Sequence, residues 1–453
     1  MPLWSNSPVF CSNADRLTAD RILGAGTTRF GLWGEQLASW GRLYRSPAAV
    51  RRYQKDAFFR LVRHAGRKVP YYQRLFQVAG LSSRQLHELS DNTLIPITEK
   101  ADLQSVPLTD RLSNDVRLSD CRIHETSGSM GEPIRIARTI DEDVRLFGRR
   151  LRVQVLSGLR PWRRRVIIGA SPRAFLPHRL GLFPVTGLPL EFTARETVEQ
   201  LEIRRPHLLK GPPSALEQLL DEYPDRMSSL GLKTVFVGAE RLSRQTRQRL
   251  EQICRCPVIE FYGAAECNLI AWQCVRCGQY HTCDDGVMVE VLRDGREAEP
   301  GEVGEVVITA LHSFAMPFIR YRVGDAVRLP RTPVPCSIGF GTIESIEGRT
   351  VEYLKFTGGP KISPYTLMDE LDPIEDVARY EAEQTGPQSL LIRFKPLSAS
   401  RVLELAELIR GRCGNILPSD VEVRVQAVER FVLTPGEKRR FIRSRQANSV
   451  DPR

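Results

Sequence analysis

Apolar residues three and four apart run through AVRRYQKDAFFRLVRHAGRKV, residues 49–69. That spacing predicts an amphipathic helix, which Pro70 and the Tyr71-Tyr72 pair end. LIPITEKADLQSV then reads as an extended piece followed by an acidic helix start, and residues 1–100 read mostly as helix. From about residue 120 the period changes. Short apolar runs ending in small residues alternate with helical stretches: RRRVIIGAS, HLLKGPPSALEQLLDEY, KTVFVGAE, LSRQTRQRLEQI and VIEFYGAAE. Leu242, Thr246, Leu250 and Ile253 share one face of the helix that joins Val235-Phe236-Val237 to Val258-Ile259-Glu260-Phe261. Strand–helix–strand order of this kind predicts a parallel sheet covered by helices. Its strand ends, Gly238-Ala239-Glu240 and Tyr262-Gly263-Ala264, fall where such sheets bind ligands.

After Cys283 the period becomes two, with turn signals at Asp294-Gly295 and Pro300-Gly301, so a β-rich part is expected over about 270–345. Beyond Gly348, SLLIRFKP, ASRVLELAELIRGRC and VEVRVQAV predict a small α+β domain. The expected class is therefore α/β: a large N-terminal domain over 1–347 and a small C-terminal domain over 348–453.

The chain has 453 residues, 42% hydrophobic and 26% charged, the balance of an ordinary globular protein. No apolar run reaches the ~18 residues of a membrane span. MPLWSNSPVFCSNADRL lacks the basic-then-apolar order of a secretory leader, so a cytoplasmic location is expected. The net charge of +11 is spread along the chain as arginine; runs such as Arg163-Arg164-Arg165 and Lys438-Arg439-Arg440 read as solvated surface before they read as a nucleic-acid groove. An anionic cofactor or a phosphorylated partner suits the same charge.

Two stretches carry candidate chemistry. HETSGSMGEP, residues 124–133, supplies the glycines and hydroxyls that a phosphate cradle needs, without the Lys-Ser/Thr of a Walker loop. CVRCGQYHTC, residues 274–283, has the Cys-x-x-Cys-Gly spacing of a zinc knuckle, with His281 and Cys283 close behind. Cys254, Cys256 and Cys267 read as buried or edge thiols.

TSGSMGEP, FYGAAE, RYRVGD, EGR and TPGEKRR follow one another along the chain. This series resembles the adenylate-forming (ANL) superfamily, and VPYYQRLF, LIPITEKADL, RIHETSGS and VFVGAE resemble its phenylacetate–coenzyme A ligase-like branch, over about residues 65–445. The resemblance implies an adenylation domain followed by a small mobile C-terminal domain. It implies that Thr126, Ser127, Gly128, Ser129 and Gly131 wrap the β- and γ-phosphates of ATP. Gly238, Ala239 and Glu240 would sandwich the adenine with Tyr262 and Gly263, and Glu266 would hold Mg²⁺. Asp325 would take the ribose hydroxyls, Arg349 would stand near an inter-domain hinge, and Lys438 would bridge the carboxylate and the α-phosphate. Departures from the family pattern stand at Ala265, Val323, Val351, Glu352 and Glu437, where hydroxyls, hinge aspartates and a glycine are usual. They bear on the rate of adenylation and the ease of domain rotation. The branch also carries a Cys-x-Cys pair before Gly-Arg. Here Cys336 fills its second position and Val334 its first. The expected structural zinc set is Cys274, Cys277, His281 and Cys336, with Cys283 as alternate.

The activity implied is adenylation of a small, aromatic carboxylic acid, then transfer to the thiol of coenzyme A or of a carrier protein's phosphopantetheine. Transfer to an amine is the alternative within this chemistry. A basic zinc-ribbon nucleic-acid binder is the alternative from another class, and a catalytically dead relative is a third. The acid pocket is expected to draw on parts of GASPRAFLPH and KGPPSA. Whether the chain pairs with itself is left open.

Overall fold

The computed structural model describes residues 35–126, 133–169, 176–240, 242–349, 353–359, 361–429, 431 and 442–444. Helix α1 (Pro47–Lys68) starts on Ser46, whose side chain accepts from the Ala49 N–H, with Pro47 in the first turn. Val69, held extended by the following proline, ends it. Pro70 does more than stop that helix. It opens a second one, α2 (Pro70–Val78), in which Tyr71 and Tyr72 are buried. The Tyr72 hydroxyl donates to the Pro317 carbonyl (3.2 Å) and accepts from the Ile319 N–H (3.0 Å), fastening these helices to the β-rich part.

Strands β1 (Cys121–Glu125) and β2 (Arg135–Thr139) form an antiparallel hairpin. Thr139 caps α3 (Ile140–Leu156) in a reciprocal box with Glu142. Then follow β3 (Arg165–Ile168), β4 (Val185–Leu188), α4 (Ala194–Arg204), β5 (Leu208–Gly211), α5 (Pro213–Glu222), β6 (Thr234–Gly238), α6 (Arg244–Cys254) and β7 (Val258–Tyr262). With β8 (Ala271–Gln273), β9 (Tyr280–Thr282) and β14 (Thr342–Ile343) these strands build one sheet of eight, ordered β14-β9-β8-β7-β6-β5-β3-β4. The pairs from β4 to β7 are parallel and those from β7 to β14 antiparallel.

Period two gives this sheet two faces. Val166, Ile168, Leu209, Val235, Val237 and Val258 form one core with Val198 and Leu201 of α4, Leu216, Leu219 and Leu220 of α5, and Leu250 of α6. Leu208, Phe236, Ile259 and Phe261 face the other way, into the larger core that includes Val153 of α3. Of the face expected on α6, Thr246 and Leu250 are buried.

The β-rich part is a five-stranded antiparallel sheet of β10 (Val287–Arg293), β11 (Arg296–Glu297), β12 (Val303–Ala310), β13 (Tyr321–Arg328) and β15 (Ser345–Arg349). Asp294 (φ 51°) and Gly295 (φ 82°) make the tight turn between β10 and β11 with the left-handed geometry such hairpins need. Arg152 on α3, fully buried, meets Asp285 through two hydrogen bonds of 2.7 and 2.8 Å and ties the two sheets together. Past residue 353, a third apolar core drawn from residues 354–417 packs α8 (Val402–Gly414), with α7 (Pro364–Leu371), on a four-stranded sheet of β18 (Val377–Gly386), β19 (Ser389–Pro396), β20 (Glu422–Ala427) and β21 (Ile442–Ser444). Strands β16 (Leu354–Lys355) and β17 (Lys361–Ile362) pair beside it. No described helix is long and apolar enough to cross a membrane.

Candidate active site

The parallel strands β6 and β7 end side by side, with Gly238 opposite Phe261. A Cβ on Gly238 would stand 2.8 Å from the Phe261 carbonyl oxygen, and one on Gly263 would stand 2.1 Å from that of Asn268, so both turns demand glycine. Ala239 takes a left-handed φ of 72°, a strained conformation for a residue with a side chain. Glu240 accepts from the Ser214 N–H (3.1 Å) in the first turn of α5, where the helix dipole favours a carboxylate. The two segments named for adenine thus form one ledge at the carboxyl ends of the strands.

From that ledge the Tyr262 hydroxyl donates to Asp325 Oδ2 (2.9 Å), and Arg349 Nε lies 3.4 Å from Asp325 Oδ1. Asp325 and Arg349 are direct cross-strand partners on β13 and β15, so the ladder register sets this ion pair. Burial pushes the Asp325 carboxyl up, while Arg349 and Tyr262 pull it back. Three motifs scattered over 262–349 therefore meet in one chain of contacts between the two sheets.

Glu266 follows the ledge and is buried. Burial raises its carboxyl, opposed by a hydrogen bond from Tyr321 and by the charges of Arg138 and Arg349. Arg138 also donates to the carbonyl of Ala265, the position where the family places a hydroxyl. The Lys100 ammonium is lowered by burial and by Arg349, and is favoured by Glu266. Lys100, Arg138 and Tyr321 are the residues that sequence reasoning missed here. Lys100 lies within TEKADL, but no spacing along the chain links it to Glu266.

Thr126 closes the base of the hairpin loop: its N–H donates to the Ile134 carbonyl (3.1 Å), and its Oγ1 accepts from the Ile134 N–H (2.9 Å). Ser127, Gly128, Ser129, Gly131 and Lys438 lie outside the described residues. His124 is paired with Asp143 on α3 at 3.2 Å.

Cys274, Cys277, His281 and Cys336 come together with their four ligand atoms all within 4.8 Å of one another. A tetrahedral zinc with bonds of ~2.3 Å to sulfur has edges of roughly 3.8 Å, so the set is of the right size. Gly278 (φ 74°) makes the knuckle turn, and the Arg276 N–H points at Cys274 Sγ (3.4 Å), as amides do toward thiolates. His281 Nδ1 lies 3.3 Å from the Phe340 carbonyl; that contact orients Nε2 toward Cys277 Sγ, 3.6 Å away. Cys283, the expected alternate, is turned elsewhere. Its thiol, in the turn after β9, faces Asp285 (3.7 Å) and Arg152 (3.9 Å). Cys254, Cys256 and Cys267 are buried thiols, as expected.

The two strand ends form one ledge on an α/β scaffold, and comparison with known proteins agrees with that fold. Residues 176–315 match the family model described as AMP-binding enzyme. The phenylacetate–coenzyme A ligase of Thermus thermophilus is 28% identical over 328 residues, covering 68% of this chain and 72% of that protein. The phenylacetate–coenzyme A ligase of Aromatoleum evansii is 26% identical over 440 residues, covering 84% of this chain and 91% of that protein. A crystal structure of 2-hydroxyisobutyryl-CoA ligase in its post-adenylation state with R3-HIB-AMP superposes with a TM-score of 0.76 at 19% identity, covering 89% of this chain and 92% of that one. These matches agree with the resemblance to the adenylate-forming superfamily. The curated relatives that it matches are phenylacetate–coenzyme A ligases, at 26–28% identity.

Proposed function

We propose that the protein is an AMP-forming acid–coenzyme A ligase. The carrying observation is the Tyr262–Asp325–Arg349 string beside Glu266, which joins three separate motifs into one site. ATP enters as its magnesium complex. The ledge at Gly238–Glu240 and Tyr262-Gly263 takes the adenine, since a flat aromatic face suits a purine. Asp325 accepts from the ribose hydroxyls, and Arg349 holds it ionised. Glu266 offers its oxygens to the magnesium of the bound triphosphate. Thr126, Ser127, Gly128, Ser129 and Gly131 enclose the β- and γ-phosphates.

An oxygen of the acid attacks the α-phosphorus, the bond to the β-phosphate oxygen breaks, and pyrophosphate leaves. Lys438 neutralises the charge that builds between the carboxylate and the α-phosphate. The thiolate of coenzyme A, its proton gone to solvent or base, then attacks the acyl carbon, and AMP leaves. The C-terminal domain over 348–453 would swing between these half-reactions. A carrier protein's phosphopantetheine or an amine are the competing acceptors, and product analysis with each separates them. Carboxylate-dependent ATP–pyrophosphate exchange tests the reading; no exchange with any acid of a broad panel would sink it.

Asp325→Ala is expected to raise the KM for ATP by about 10- to 100-fold, the loss of one or two hydrogen bonds to a charged group. A change in KM for the acid alone, with ATP untouched, would remove Asp325 from the ribose.

Zinc bound by Cys274, Cys277, His281 and Cys336 would be structural. It would fasten the β8–β9 knuckle to the loop before β14 and take no part in chemistry. Purified protein is expected to carry about one zinc per chain, and chelation to lower the melting temperature by at least about 5 °C. Wild-type melting after complete removal of metal would refute the site.

A further inference from the structure

The face of the large sheet beneath α3 holds more than apolar residues. Arg165 pairs with Leu208 and Ile167 with Lys210, so the alternation of side chains sets Arg165 and Lys210 on the same face as Phe236 and Phe261. Lys210 Nζ lies 5.0 Å from the centre of the Phe261 ring, which stacks on Phe236 at 4.7 Å. Arg165 is fully engaged: it donates to Gln154 Oε1 (2.6 Å), His178 Nε2 (2.9 Å) and the Phe183 carbonyl (2.8 Å). Accepting from Arg165 requires a neutral His178, and burial together with Arg165 pushes that imidazole down to about 4.

Arg150 on α3 and Lys210 have no such partners. Among the described residues neither forms an ion pair or a hydrogen bond; Asp143 acts on Arg150 only from a distance and is held by His124 and Arg122. Burial first, then the charges of Arg150 and Arg165, push the Lys210 ammonium down to about 7. Both side chains are half-buried, so the two cations stay reachable, and an anion bound between them would supply the counter-charge they lack. Lys210 leads directly into the Pro212-Pro213 start of α5, where Glu240 is anchored, and Phe261 directly precedes Tyr262. Lys210 therefore lies next to the ledge, within a segment expected to line the acid pocket, and Arg150 stands one turn of α3 before Gln154, which meets Arg165 beside it.

We infer that Lys210 and Arg150 receive a second carboxylate on the acid substrate, so that the preferred substrates are dicarboxylic acids activated at one end. This rests on the acid-ligase reading. A guanidinium and an ammonium around one carboxylate discriminate by charge, because a monoacid would leave both cations unpaired.

The test uses the full-length protein with AMP present and measures binding by calorimetry for matched pairs: phenylacetate against 4-carboxyphenylacetate, and butanoate against glutarate. ATP–pyrophosphate exchange is run on the same acids. The diacid of each pair is expected to bind at least about tenfold tighter, and Lys210→Met and Arg150→Met to remove that preference by weakening the diacid far more than the monoacid. Lys210→Met is also expected to melt no lower than the parent protein, since it removes a half-buried cation that has no counter-charge. Equal affinity within each pair would overturn the inference. So would equal weakening of monoacid and diacid by Lys210→Met, which would assign Lys210 to the reacting carboxylate, and so would a marked drop in melting temperature. Lys210-dependent diacid binding with no exchange on any acid would uphold the anion site and strike the ligase reading instead.

Discussion

Lys438→Ala is expected to cut carboxylate-dependent ATP–pyrophosphate exchange by about a hundred- to a thousandfold, with little change in ATP binding. The size is that of removing one preorganised cation or donor from a developing charge, worth about 3–4 kcal/mol. The split between the half-reactions is the sharper readout. A lysine that acts in adenylation alone leaves thioester formation from a supplied acyl-adenylate near its original rate. Loss of both half-reactions together would instead mean that the substitution damages the C-terminal domain. Retention of exchange would remove Lys438 from the chemistry and direct attention to Arg439 and Arg440 in the same tail.

The second large effect is on stability. Asp285 is fully buried, with Arg152 at 2.7 Å and both Arg149 and Arg42 at 3.8 Å. Asp285→Ala is expected to lose about 3–5 kcal/mol, because it leaves the Arg152 guanidinium buried without its counter-charge. Pairing this change with Arg152→Met is expected to recover much of the loss, since the pair costs desolvation on both sides. An Asp285→Ala protein that unfolds at the parent's denaturant midpoint would show that the network is dispensable. The same group gives a pH dependence. Burial alone would raise the Asp285 carboxyl, but Arg152, Arg149 and Arg42 outweigh it and hold it at about 2. The folded value is below the unfolded one, so the stabilisation is complete above about pH 4. It is lost as pH falls from there through 2, by ~2 kcal/mol. Acid unfolding of Asp285→Asn is expected to be correspondingly flatter over that window.

Much of this was legible along the chain because it rests on local rules. Alternating periods of 3.6 and 2 announced the helices over β5 to β7 and the antiparallel strands after Cys283, and both are present. The turn at Asp294-Gly295 followed from two residues that tolerate positive φ. The cysteine–histidine cluster was legible in part. Its knuckle is local, and the resemblance supplied Cys336, which the folded chain brings to the other three. Pro70 was misread as a stop alone, because a proline that breaks one helix is equally suited to the first turn of the next.

What the sequence determined by itself, then, is the order of elements, the glycine-bound turns at Gly238 and Gly263, and the motifs on which the proposed nucleotide site rests. Only the tertiary structure decided which side chains meet. Asp325 finds Arg349 through a strand register, Glu266 finds Arg138 and Lys100 across two packed layers, and Cys283 is drawn away to Asp285. Lys210 lies in KGPPSA, a segment the sequence offered for the acid pocket; its place over the Phe261 ring follows only from the packing of the strands. Charge pairing and burial depend on distance in space, and no periodicity along the chain encodes the distance between elements a hundred residues apart.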